Sequence, residues 1–126
     1  MKLSTMMVIK AVICLVFGLG GLLLPDALMS LYDVSLGSGG AFVTRLFGAS
    51  LLVLCVLLWQ ARTDTGSEAQ QAIVLGVFVG DTIAFIVALI AQLSGQANAL
   101  GWTTVAIYLL LAVGFGYFQL AKPELR

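Results

Sequence analysis

Four long apolar stretches constrain this chain more than any other feature. They fall at about residues 8–24, 41–59, 72–93 and 102–120. Each approaches the roughly 20 residues that a helix needs to cross the hydrocarbon of a bilayer. None alternates apolar and polar residues over ~10-residue blocks, so a transmembrane barrel is not expected. Hydrocarbon offers the backbone no hydrogen-bond partners, and a helix supplies its own. The expected fold is therefore all-α: an integral membrane four-helix bundle, antiparallel, running up-down-up-down. Composition closes the soluble alternative. The 126 residues are 61% hydrophobic and 10% charged, where a soluble domain carries about 25% charged residues. A chain this short leaves much of its surface wet and cannot hide that surplus in one core.

The connections fit a single transmembrane domain over residues 1–126. Pro25 ends the first span, because proline cannot continue the hydrogen-bond ladder. In DALMSLY, residues 26–32, Leu28, Leu31 and Tyr32 share a helical face, which predicts a short interfacial helix. DVSLGSGG reads as a turn. QARTDTGSEAQQ is the most polar segment, and Ser67 or Thr65 is expected to cap the third long helix. No repeat of fixed period is present. Lys10 interrupts the first apolar run and no small-x-small site closes it, so that span does not read as a cleaved signal.

Charge placement predicts orientation. With four spans, the N-terminus, the middle loop and the C-terminus share one side. That side carries Lys2, Arg62, Lys122 and Arg126, with Lys10 just inside the membrane. The positive-inside rule then places both termini in the cytoplasm. Trp59 and Tyr117 fall near the inner interface and Trp102 near the outer one.

The same inventory excludes functions. Six basic residues balance six acidic ones, so nucleic-acid binding by bulk charge is not expected. There is no histidine, which removes the commonest general base and metal ligand. Cys14 and Cys55 form neither a C-x-x-C motif nor a zinc spacing. No metal, no cofactor and no catalytic set is expected, and the protein reads as non-enzymatic. Its partners would be membrane lipids and other membrane subunits, or a second copy of itself.

Three ionisable residues fall inside the spans: Lys10, Arg45 and Asp81. An ionisable group in a bilayer is costly and is a functional hypothesis by default. Lys10 and Arg45 lie near opposite membrane faces, from which long basic side chains can snorkel to headgroups. Asp81 has a short stem and sits near the midplane. At ~1.5 Å per residue it lies about 14 Å from the cytoplasmic face, Lys10 about 3 Å and Arg45 about 21 Å. The axial gap is thus roughly 7 Å to Arg45 and roughly 11 Å to Lys10. The order of expectation is a protonated, hydrogen-bonded Asp81, then an Arg45–Asp81 pair, then a Lys10–Asp81 pair. Ser50 and Tyr108 fall near the same depth and are candidate hydroxyl partners. Asp81 would either fix helix packing and assembly or couple a proton or cation to transport.

The third span carries the G-x-x-x-G motif Gly76–Gly80, continued every fourth residue by Ala84 and Ala88. Such stripes let two helix backbones approach closely, so these four residues are expected to pack helices. Asp81, Ala88 and Gln92 share a neighbouring face, expected to point into the bundle.

Other small four-span proteins differ from this chain. Small multidrug exporters depend on a glutamate in the first span, which has no acid here. Fluoride channels use a polar third helix that residues 74–93 lack. The chain resembles a broad group of small, uncharacterised bacterial four-span membrane proteins in GLGGLLLP at Gly18–Pro25, RLFGA at Arg45–Ala49, GVFVGD at Gly76–Asp81 and LGWTTVAIYLLL at Leu100–Leu111. The resemblance implies a four-helix bundle and carries no activity and no functional residues with it.

Overall fold

A computed structural model describes residues 2–121. Lys122 and Arg126, which contribute to the charge bias above, lie outside them. The described residues form helices α1 (Leu3–Leu23), α2 (Pro25–Ser30), α3 (Ser38–Ala61), α4 (Glu68–Leu93) and α5 (Gly101–Gly116), and α5 runs on into a π-helical turn, Tyr117–Ala121. Four of the helices are long and apolar enough to cross a membrane: α1, α3, α4 and α5 with its π turn.

Helix boundaries follow local chemistry. The first helix starts at Leu3, ahead of the apolar run, because Ser4 and Thr5 are taken into its first turn. It ends where the Leu24 N–H donates to the Gly20 carbonyl at 2.9 Å. Pro25 then opens α2 at its first position, where a missing N–H leaves no bond unmade. Of the two candidate caps for α4, Ser67 acts: its hydroxyl accepts from the Gln70 N–H at 3.0 Å. Glu68 adds a negative charge at the positive end of the helix dipole. At the other end Gly95 adopts φ +73°, a left-handed conformation. The Gly95 N–H donates to the Gln92 carbonyl at 3.2 Å and the Gln96 N–H to the Ala91 carbonyl at 3.1 Å. This reversal satisfies carbonyls that the helix end leaves open.

Packing pairs the helices unequally. α1 lies along α3 and α4 along α5, while the other pairs touch much less. Glycines explain the first pairing. A Cβ built on Gly48 would stand 2.6 Å from the Gly18 carbonyl oxygen and 2.7 Å from the Leu22 nitrogen. One on Gly21 would stand 3.2 Å from the Thr44 carbonyl oxygen. Backbone thus meets backbone along this seam. Around α5 the glycines receive side chains instead: Gly116 meets the Phe78 ring and Gly114 the end of Met6. Met7, Cys14, Leu58, Val74 and Phe115 are fully buried and anchor one contiguous apolar core.

The surface is inverted relative to that of a water-soluble protein. Val16, Phe42, Val53, Ile83, Val87 and Leu110 are among many large apolar side chains that face outward, whereas Lys10 and Asp81 are buried. An apolar surface of that extent needs an apolar surrounding.

Candidate functional site

Lys10 projects from α1 and Asp81 from α4, two helices whose backbones make little contact. The lysine stem spans the gap. Its Nζ donates to Asp81 Oδ1 at 2.7 Å, and both side chains are about 95% buried, at 5% and 6% exposed. The opposite charge makes burial of each group tolerable. Removing one partner would strand the other in a medium that solvates charge poorly.

This geometry corrects the sequence expectations for Asp81. Its partner is Lys10, the residue ranked last, and Lys10 does not snorkel to a membrane face. Arg45 is exposed on α3 and makes no ion pair among the described residues. Depth alone could not settle the choice, because rotation about the helix axis matters as much. Thr44, Gly48 and Leu51 turn toward the rest of the bundle, which leaves Arg45 on the exposed side of α3. The earlier start of α1 also sets Lys10 about two turns inside that helix rather than at its edge. Ser50 is exposed and its hydroxyl donates to the Leu46 carbonyl of its own helix at 3.1 Å. It gives Asp81 nothing. Tyr108 does not bond Asp81 either. Its ring lies beneath Lys10, with Nζ 5.5 Å from the ring centroid, within range of a cation–π attraction.

Two features of the pair remain open. Asp81 Oδ2 is buried and has no hydrogen-bond partner among the described residues. The Lys10 ammonium has three donors, and Asp81 Oδ1 takes one of them.

Lys10 also lines an apolar cavity of about 270 Å³. Ile13, Cys14, Phe17 and Leu51 supply apolar wall, and Tyr108, Tyr32, Thr104, Thr44 and Gln92 bring polar groups to it besides Lys10. The Thr104 and Tyr32 hydroxyls are bonded to one another at 3.2 Å. Loops close one end. Asn98 donates from its backbone N–H to the Tyr32 carbonyl and from Nδ2 to the Leu31 carbonyl, each at 3.0 Å. Gln92 Nε2 donates to the Asn98 carbonyl at 2.9 Å. These bonds hold the Leu28–Val34 and Ala97 parts of the cavity wall against each other. Ala88 and Gln92 line the cavity as well, so the face they share with Asp81 does turn inward.

The small-residue stripe behaves differently. Gly76 and Gly80 are exposed, and a Cβ built on either would meet nothing within 4 Å. Ala84 and Ala88 are half-buried. Among the described residues the two glycines pack against no helix. Close backbone approach inside the bundle is made by Gly18, Gly21 and Gly48. That seam was legible as three glycines one to several turns from their helix ends, but only as part of GLGGLLLP and RLFGA, with nothing to pair them.

At the opposite end of the core, Gln70 is 1% exposed. Its Nε2 donates to the Ala61 carbonyl at 3.1 Å and its Oε1 accepts from the Gly66 N–H at 3.1 Å. Sequence reading missed this residue. Its signal was a glutamine three positions after a capping serine, a spacing that favours local backbone capture. Among the described residues no group of three or more His, Cys, Asp or Glu side chains could hold a metal ion. No protein-family model, curated protein or solved structure matches this chain.

Proposed function

We propose that this chain is a non-enzymatic, multi-pass protein of a bacterial inner membrane that assembles laterally, as an accessory subunit of a larger complex or with copies of itself. Its termini face the cytoplasm and its four spans run antiparallel. The seam supports that topology, because Gly18 meets Gly48 while Gly21, about a turn later, meets Thr44, about a turn earlier. The retained side also carries Lys2 and Arg62, as the positive-inside rule requires.

The observation that carries the assembly reading is the emptiness beside Gly76 and Gly80. Helix association in lipid depends on close packing, since lipid tails are as apolar as leucine. A pair of exposed glycines one turn apart offers a backbone-deep groove to a further helix. Extraction in mild detergent followed by native mass analysis tests it. An assembly clearly heavier than the 13.3 kDa chain is expected. The Gly76→Leu, Gly80→Leu double variant should release single chains. A lone parent chain under gentle conditions would end the proposal.

A second reading, a small transporter or channel coupling a proton or cation through Asp81, is favoured by the unpartnered Asp81 Oδ2. Vesicles reconstituted with the protein should then show a pH- or cation-dependent flux that Asp81→Asn abolishes. Full flux in the Asn variant would remove the coupling role.

A further inference from the structure

We propose that the cavity above Lys10 is a binding site for an uncharged, lipid-soluble carbonyl compound, its oxygen held by the Lys10 ammonium and its hydrocarbon filling the apolar wall. This goes beyond lateral assembly and does not depend on it.

Size sets the first limit. At about 270 Å³ the space is nearly twice the roughly 150 Å³ cavity that accepts benzene. A fused two-ring skeleton, or a chain of similar bulk, is the matching scale. The wall is overwhelmingly apolar, so most of the occupant must be hydrocarbon.

Charge sets the second limit. Lys10 and Asp81 neutralise each other at 2.7 Å. An added carboxylate would leave a net negative charge in an apolar space, and an added ammonium would oppose Lys10. Either would carry a large desolvation cost. The occupant is therefore neutral.

Hydrogen bonding sets the third. Lys10 is 4% exposed, and two of its three donors have no partner among the described residues. Tyr108, which also lines the cavity, makes no hydrogen bond through its hydroxyl among them. Lys10 offers only donors to the cavity and the Tyr108 hydroxyl can donate, while Asp81, which holds the spare acceptor, is not among the lining residues, so a carbonyl oxygen is the complementary group. A plain hydrocarbon would leave these donors unmatched, which is costly in a buried site. Access is from the membrane side: Phe47 lines the cavity and is half exposed on the outer surface.

Equilibrium dialysis of the intact protein in detergent, referenced to empty micelles, tests this with three ring compounds. They are 1-tetralone, its carbonyl-free counterpart tetralin, and the anion 1-naphthoate. Tetralone should bind about tenfold or more tighter than either of the others. Ala91→Phe, which fills the cavity and leaves the ion pair intact, should abolish tetralone binding. The charge-balanced double variant Lys10→Met, Asp81→Leu should bind tetralone no better than tetralin. Its fold is checked by circular dichroism and by retained tetralin uptake. Equal binding of tetralone and tetralin by the parent protein would overturn the proposal. So would tightest binding of 1-naphthoate, no binding of any compound, or tetralone binding that survives Ala91→Phe.

Discussion

Two glycine faces of this molecule look alike in sequence and differ in what stands opposite them. Along the α1/α3 seam, Gly18, Gly21 and Gly48 bring two backbones together so closely that Gly48 has no room for a methyl group. Along α4, Gly76 and Gly80 form the better-known motif and meet no other described residue. The difference teaches that a small residue records permission for close approach, not the approach itself. A partner backbone must be delivered by the rest of the fold. Here α1 and α3 are delivered to each other, and α4 takes α5 on a different face.

The ion pair joins the helix that carries the seam to the helix that carries the stripe, and breaking it should have the largest effect. Lys10→Met is expected to lower stability by about 3–5 kcal/mol, because Asp81 is left buried without a cation. Adding Asp81→Leu should recover most of that loss. Thermal unfolding in detergent reads both. A single variant as stable as the parent would mean that the two helix pairs hold together without the charge contact.

Gly48→Ala tests the seam directly. The atoms that the new methyl would meet are backbone atoms of α1, which cannot rotate aside. A loss of about 3 kcal/mol or more is expected. A loss near zero would show that the two backbones can separate at little cost, and the contrast with α4 would collapse.

Gly116→Ala sharpens the comparison with an intermediate case. Its methyl would stand 2.8 Å from a Phe78 ring carbon, and a side chain can yield where a backbone cannot. A loss of about 1–2 kcal/mol is expected, largely restored by Phe78→Leu in the same chain. Failure of that rescue would point to backbone crowding at Gly116 as well.

The smallest effect on the fold belongs to Gly76→Ala with Gly80→Ala. With nothing within 4 Å of either position, alanine's better helix propensity should stabilise the separated chain, by up to about 1 kcal/mol per site. The same variant should weaken any assembly measured by native mass. Destabilisation of the separated chain would show that the stripe is an internal contact face after all.

Reading the chain alone reached the helices but not their facing. The apolar runs predicted four long helices, and the four that are long and apolar enough to cross a membrane lie over the same stretches. Pro25 and Ser67 marked two helix starts or stops through chemistry local to a few residues. Asp81 was legible as a residue requiring explanation, because a short carboxylate deep in an apolar run is costly wherever the helix points. Its partner was not legible. Arg45 is nearer in axial depth, yet it turns outward with its side of α3, while the long stem of Lys10 reaches across from α1.

Hydrophobicity, helix length and the cost of an isolated charge are properties of one segment, and the sequence by itself determined those: an all-helical chain with apolar rods and a charge to be neutralised. Which glycine meets a backbone, which cation meets Asp81 and where a cavity is left open are properties of two or more segments at once. Only the tertiary structure decided them, because the rotation of each helix about its axis follows from the packing of all the others.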